Sequence, residues 1–372
     1  MSNFEKIKTP LFICEMTKLE ENLKLLKDIQ AQSGVKILLA LKGFSLHVSF
    51  PLIAKYLYGA SASSYNEVRL AKEKFAKEVH TYCPAYKDDE LEEIATMSDS
   101  IIFNSLAQYE RFYPQIKEKA SCGLRINLEM PFDLPKHCNA NRKQSRFGVL
   151  GDTLKELPQA IEGLHVHALC SQKSDAFEAM LHVLEKQFSK HLHQLKWVNF
   201  GGGHALTCKE YDTKHLVQIL ENFQRKYPNL TLYIEPSEAI VHETGILVAS
   251  VLDIVHNEID IAILDISVEV HMIDVMLTKK SPQVREHSKE GEYHYQLAGC
   301  SCAAGDIFGN YSFEKPLQVG DRVVFENQMA YSMVKSTFFN GINPADIAIK
   351  TFDGNIKFVK EFSYSSYLDG LG

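Results

Sequence analysis

The sequence predicts an α/β fold, a (β/α)8 TIM-type barrel carrying a C-terminal, mostly antiparallel β domain. Three observations lead there. Between about residues 16 and 240, short apolar runs alternate with amphipathic stretches at helical spacing, the pattern of parallel strands joined by helical crossovers. After about residue 243 the texture turns β-rich, with turn signals at "VGD" and "FNG", which suits antiparallel pairing. A chain of 372 residues is also long enough for one barrel and a second domain.

Taken in order, "TPLFICEM" is a short apolar segment that can add a strand to the second domain. "VKILLAL" is a buried strand, because a short apolar run bounded by Gly and Ser suits a parallel sheet covered on both faces. "EVRLAKEKFA" and "LAQYERFYPQI" have helical spacing, and "SIIFN", "CGLRINL" and "LHVHAL" read as further strands. "AFEAMLHVLEKQFSKHL" and "HLVQILENFQRKY" are amphipathic helices, each leading toward an apolar strand, "KWVNFGGG" and "LTLYIEP" respectively. "ILVASVLDIV", "IAILDIS", "EYHYQLAG" and "DRVVFENQMAYSMV" supply the second domain. The expected division is a barrel over 16–242 and a β-sandwich or β-barrel domain built from 1–15 and 243–372.

Composition narrows the function. Charged residues at 23% and hydrophobic ones at 45% are those of a water-soluble globular protein, and no apolar run approaches the ~20 residues needed to span a bilayer. "MSNFEKIKTPLFICEM" lacks the apolar core of a signal peptide, so the cytoplasm is the expected location. A net charge of -7 argues against nucleic acid as a partner and suits a small cationic substrate. Eight scattered cysteines without a C-x-x-C pair point to reduced thiols rather than a disulfide framework.

Candidate chemistry collects at predicted strand ends. Lys42 follows "ILLAL" directly. An amine held there among apolar neighbours has a lowered pKa and can form a Schiff base; the competing reading is a lysine that ends a strand and reaches for water. Gly201, Gly202 and Gly203 follow an apolar strand, where missing side chains let backbone N–H groups close on a phosphate, or simply make a tight turn. His165 and His167, two apart on a strand, share one face. Such a pair is either buried hydrogen-bonding or the start of a metal site of the amidohydrolase kind. Those sites open with the H-x-H and place their lysine later, the reverse of the order here. Glu235 and Pro236 end the strand "LTLYI", and "CSCAAGD" offers Cys300, Cys302 and Asp306, too few ligands for a metal. No metal site is expected.

Set in chain order, "ALKGF", "SSYNE", "QSRFG", "GLHVHALC", "NFGGGHAL", "YIEPSEAIV", "CSCAAGD" and "ENQMAYSMVKSTFFNG" resemble the fold-type III, alanine-racemase-like PLP-dependent decarboxylases of basic amino acids and diaminopimelate. The resemblance runs from about residue 10 to the C-terminus. It implies pyridoxal 5'-phosphate as cofactor, with Lys42 as its Schiff-base lysine and His167 stacked on its ring. Glu235 would accept the pyridinium N–H, which favours decarboxylation over racemisation because the ring stays an electron sink. Gly201, Gly202, Gly203 and Tyr331 would meet the phosphate. Relatives read Gly-Arg after the proline where this chain has Ser237 and Glu238, a departure that removes one expected phosphate contact.

The same resemblance makes Cys302 the acid that protonates the substrate carbon and Asp306 a ligand of the substrate amine, both contributed across a dimer interface. A homodimer with shared active sites follows. Asp265, Asp274 and Glu238 are further substrate-binding candidates, while Glu67, Arg146 and His165 would support the pocket from behind. "GLHVHALC", "HMIDVM" and the short length are most like the branch that acts on carboxylated polyamines. The expected reaction is therefore decarboxylation of carboxynorspermidine or carboxyspermidine to norspermidine or spermidine. Alternatives are a decarboxylase of another basic amino acid or of diaminopimelate, a metal-dependent barrel hydrolase, and a non-enzymatic PLP-binding barrel, the last disfavoured by the second-domain motifs.

Overall fold

The computed structural model describes residues 4, 6–136, 138–154 and 156–372, so of the first fifteen residues 1–3 and 5 lie outside the described set. The chain divides into two compact units, Glu20–Ile240 and Met1–Leu19 with Val241–Gly372. In chain order, strand β1 (Leu11–Glu15) belongs to the second unit. The first unit then contributes β2 (Lys36–Ala40), β3 (Gly59–Ala62), β4 (Glu78–Tyr82), β5 (Ser100–Phe103), β6 (Ser121–Asn127), β7 (Val149–Leu150), β8 (Gly163–Val166), β9 (Trp197–Asn199) and β10 (Thr231–Ile234).

Eight of these strands, β2 to β6 and β8 to β10, pair in parallel all the way round. β10 returns to β2 through Tyr233 opposite Lys36 and Ile234 opposite Ile37, closing the barrel. The short β7 pairs with β6 outside that ring. Inside, Leu38, Ile102, Trp197 and Tyr233 form a buried cluster. The single tryptophan fills the space left by two glycines, since a Cβ on Gly123 or Gly163 would collide with its indole. Outside, amphipathic helices cover the strands. In helix Ser174–Leu192, Phe177, Met180, Leu181, Leu184, Phe188 and Leu192 are buried at the three-and-four spacing that makes one apolar face.

Two barrel strands lie outside the apolar runs of the sequence, β3 and β4. β3 is "GASA", a segment of small residues with little strand propensity, and its Gly59 is needed because a Cβ there would overlap the Glu78 carbonyl of β4. The β6–β8 crossover carries no α-helix among the described residues, only β7 and one helical turn at Gly151–Thr153.

In the second unit, β11 (Gly245–Asn257), β12 (Ile259–Leu264), β13 (Tyr293–Ala298), β14 (Ile307–Phe313), β15 (Arg322–Phe325), β16 (Asp346–Lys350) and β17 (Ile356–Lys360) join β1. The order is β14-β13-β12-β11-β1-β16-β17, with β15 also on β11. Only the β1–β16 and β12–β13 pairings are parallel. The first half of β11 pairs with β1 and β15, its second half with β12, and the register shifts between Val251 and Asp253 where the partners change. Leu11, Ile13, Ile246, Val248, Val324 and Ala348 make the buried core under this sheet.

Candidate active site

Because all eight barrel strands run the same way, their C-terminal ends share one face, and side chains two apart along a strand point into the barrel in successive layers. Lys42 lies just past β2, Glu67 past β3, His167 past β8, Gly201–Gly203 past β9 and Glu235 past β10. The fold therefore brings these expected residues to one mouth.

Lys42 is exposed as a residue, yet protein surrounds its amine closely enough that burial lowers its pKa. Glu235 and Glu67 oppose that shift, and Arg125 reinforces it. Glu67 owes its place to the N-terminus of helix Tyr65–Leu70. Ser64 caps that helix, and the Glu67 carboxylate turns back to accept the Ser63 N–H at 2.6 Å. Burial raises the pKa of Glu67, and the charge of Lys42 offsets part of the rise.

Glu235 is buried. Burial alone would raise its pKa, but His165, His80 and Asn199 outweigh it and hold the carboxyl at about 2, so it is ionised at neutral pH. Asn199 Nδ2 donates to Glu235 Oε1 at 2.6 Å, and His165 Nε2 lies 3.5 Å from Oε2. The His165 and His167 rings are nearly parallel, with centroids 6.4 Å apart, and Tyr82 stacks on His165 from the other side. Burial pushes the pKa of His167 well below its usual value, with Lys42 and Arg125 adding to the effect, so it presents a neutral ring.

The glycine turn is obligatory. A Cβ on Gly201 would collide with His167, one on Gly202 with the Glu235 carbonyl and one on Gly203 with the Leu169 carbonyl, and Gly201 and Gly203 have φ of +67° and +87°. Two of its three N–H groups are committed within the site, Gly201 to Asn199 Oδ1 at 2.9 Å and Gly202 to His167 Nδ1 at 3.0 Å.

Arg146 is exposed and lies over Phe147, its guanidinium 4.2 Å from the ring centroid. The guanidinium inside the barrel is that of Arg125 on β6, buried between Phe147 and Tyr82 with centroids at 4.6 and 4.5 Å. Its signal was present in "CGLRINL", a cation in the middle of an apolar strand, as was that of Asn199 directly before the glycine turn. Glu238 is exposed and accepts the Ser171 hydroxyl at 2.9 Å.

The other expected residues belong to the sheet unit. Asp306 is buried and both its oxygens are occupied, Oδ1 by the Val268 N–H at 2.7 Å and Oδ2 by the Ser301 N–H at 3.0 Å. Those two bonds brace its own turn. Asp265 is similarly engaged, by Thr9 Oγ1 at 2.6 Å and the Ser250 N–H at 2.7 Å. Asp274 is half-exposed and holds Lys335 Nζ at 2.7 and 2.9 Å. Cys302 is exposed on the turn that Asp306 braces, and its N–H is fixed by Asn340 at 2.7 Å, whereas Cys300 is half-buried and burial raises its thiol pKa. Tyr331 has a left-handed backbone, φ +64°, a strained conformation for a bulky residue and one that concentrates at functional sites. No cluster of three or more potential metal ligands occurs among the described residues.

Comparison with known proteins bears on the same site. A family model described as pyridoxal-dependent decarboxylase, C-terminal sheet domain, matches residues 56–328. A carboxynorspermidine/carboxyspermidine decarboxylase of Campylobacter jejuni is 43% identical, the alignment covering 98% of this chain and 98% of the relative. A carboxyaminopropylagmatine decarboxylase of a Synechocystis species is 40% identical over 98% of this chain and 95% of its own. The crystal structure of carboxynorspermidine decarboxylase from Campylobacter jejuni, complexed with norspermidine, superimposes with a TM-score of 0.91 at 42% identity, covering 97% of this chain and 99% of that one. With the family model spanning most of its length and these identities over nearly all of it, the chain belongs to the pyridoxal-dependent decarboxylases.

Proposed function

We propose that this chain decarboxylates a carboxylated polyamine, carboxynorspermidine or carboxyspermidine, releasing CO2 and norspermidine or spermidine, with pyridoxal 5'-phosphate as cofactor. One observation carries the reading: a single barrel mouth holds an amine of lowered pKa, Lys42, together with a carboxylate kept ionised, Glu235. The residues present fit that cofactor. Lys42 would supply an amine for its aldehyde, the backbone of the Gly201–Gly203 turn would meet its phosphate, and Glu235, buried and ionised, would be the acceptor for a ring N–H. When bound, the cofactor supplies an electron sink for the pair released when the C–C bond breaks.

The chain's own groups do the remaining work. Lys42, less fully protonated at neutral pH than a solvated lysine, is nucleophile first and proton carrier afterwards. Glu235 stays ionised and would serve as the acceptor that keeps a ring nitrogen protonated. His167, neutral and held by the Gly202 N–H, is a flat surface against which a ring can lie. Cys302, exposed on a braced turn, is the proton donor to the substrate carbon, and Tyr331 a phosphate contact. Glu238, which is exposed, and Asp274, half-exposed and paired with Lys335, are the carboxylates assigned to the distal ammonium groups. We assign Cys302 to the active site of a partner subunit, which makes a homodimer the catalytic unit. No described helix is long and apolar enough to cross a membrane, in keeping with a cytoplasmic enzyme.

The test is direct. The purified protein, loaded with pyridoxal phosphate, is offered carboxynorspermidine, carboxyspermidine, carboxyaminopropylagmatine, diaminopimelate and ornithine in turn, and CO2 and amine products are measured by mass spectrometry. The first two should lead the rest by at least about tenfold in kcat/KM. Preference for carboxyaminopropylagmatine, diaminopimelate or ornithine would overturn the substrate assignment, and no turnover of any of them would overturn the activity.

A further inference from the structure

Asn199 ends β9 and His80 sits in the middle of β4, strands that are not neighbours in the barrel, yet their side chains meet in its interior. Both are buried. Asn199 Nδ2 donates one hydrogen to Glu235 Oε1 at 2.6 Å and faces His80 Nδ1 at 3.3 Å, while its Oδ1 accepts the Gly201 N–H at 2.9 Å. An amide nitrogen only donates, so His80 Nδ1 is the acceptor and the ring's proton lies on Nε2. There it meets Glu78 Oε1 at 3.0 Å. Glu78 also takes the Tyr233 hydroxyl at 2.6 Å and the Lys36 ammonium at 3.4 Å. Lys36 Nζ also donates to the Tyr233 oxygen at 3.3 Å, so the chain is continuous from the start of β2 to the mouth.

We propose that His80 and Asn199 are positioning residues for Glu235, the inner members of a buried hydrogen-bond chain, Lys36–Glu78–His80–Asn199–Glu235, that holds the carboxylate in its working orientation. The chain matters because Glu235 has another partner within reach. His165 Nε2 is 3.5 Å from its second oxygen, and loss of the Asn199 contact would let the carboxylate turn toward that ring. Asn199 ties the carboxylate to the glycine turn as well, so one side chain registers two parts of the mouth against each other. The proposal rests on reading Glu235 as the partner of the cofactor ring nitrogen.

Four variants test it: Glu235→Gln, His80→Leu, His80→Asn and the His80→Leu/Glu235→Gln pair. For each, kcat, KM, the dissociation constant of pyridoxal phosphate and the pH profile of the bound cofactor's visible absorption are measured, with thermal unfolding of the cofactor-free protein alongside. His80→Leu should lower kcat by about tenfold with KM within about twofold, and should move the absorption profile in the same direction as Glu235→Gln. The double variant should be no worse than Glu235→Gln alone. His80→Asn, whose Oδ1 can stand where Nδ1 stood, should recover most of the loss. A His80→Leu protein that melts lower but keeps its kcat and absorption profile, or a loss that multiplies with that of Glu235→Gln, would reduce His80 to a packing residue. Should Glu235→Gln itself leave kcat and spectrum unchanged, the reading of Glu235 fails, and the proposal built on it falls too. Independently of any variant's folding, two-bond 15N–1H correlation spectra of the cofactor-free wild-type protein should place the His80 proton on Nε2; a proton on Nδ1 would overturn the chain.

Discussion

The two units handle their polar side chains in opposite ways. In the barrel, parallel strands deliver Lys42, Glu67, His167 and Glu235 to one mouth, where burial lowers the pKa of Lys42 and Glu235 is kept charged. In the sheet unit, Asp265 and Asp306 spend their oxygens on neighbouring N–H and hydroxyl groups, and the group left exposed is Cys302 on the turn so braced. The difference teaches a division of labour. A barrel with one strand direction gathers chemistry, while antiparallel strands joined by tight turns consume carboxylates to hold loops rigid.

The sharpest way to break that comparison is to remove the barrel's amine. Lys42→Ala should cost at least about a thousandfold in turnover and abolish covalent attachment of the cofactor. Cofactor still trapped on the protein by borohydride would show that another lysine does the work. Next comes the assignment of Cys302 to a partner's site. Mixing Lys42→Ala with Cys302→Ala subunits and allowing exchange should restore about a quarter of wild-type activity, because about half the dimers are mixed and each has one intact site. Demonstrated exchange without recovery would confine Cys302 to its own chain's site or to none.

A smaller effect separates bracing from binding among the aspartates. Asp306→Ala should lower stability by about 2–4 kcal/mol, since it leaves two N–H groups without an acceptor, whereas Asp274→Ala, which loses a half-exposed pair with Lys335, should cost less than about 1 kcal/mol. Equal losses in chemical denaturation would erase the distinction. Raised KM for the polyamine in Asp274→Ala, with stability nearly intact, would sharpen it.

The smallest expected effect is the acid limb that Glu78 contributes in the barrel. Burial would raise the pKa of Glu78, but His80 and Tyr233 hold it at about 2, below its ordinary value of 4.5. A depressed folded-state pKa means that its stabilisation is complete above about pH 4.5 and is lost as pH falls toward about 2. The melting difference between wild type and Glu78→Gln should therefore shrink from pH 5 to pH 3, and a difference constant with pH would deny Glu78 its ionised role.

Much of the barrel was legible beforehand because buried parallel strands read as apolar runs, as in "ILLAL" and "LTLYI". β3 was not, since "GASA" is chosen for close approach to β4 rather than for strand propensity. In the site, Lys42 and Glu235 announced themselves as charges placed directly after such runs. Arg125 carried a comparable signal inside its strand, but Arg146 in "QSRFG" stood closer to a recognisable motif and drew the bracing role.

The sequence by itself determined most of the alternation of strands and helices, the charges that follow β2 and β10, and the glycine turn, because strand burial, periodicity and the absence of side chains are local properties. Only the tertiary structure decided which polar groups are already satisfied. Asn199 finds Glu235 across 36 positions of sequence and His80 across 119, and Asp306 takes its first N–H from 38 positions away. A hydrogen bond needs its partner within about 3 Å, and that proximity is created by the closure of the barrel and the register of the sheet rather than by neighbours along the chain.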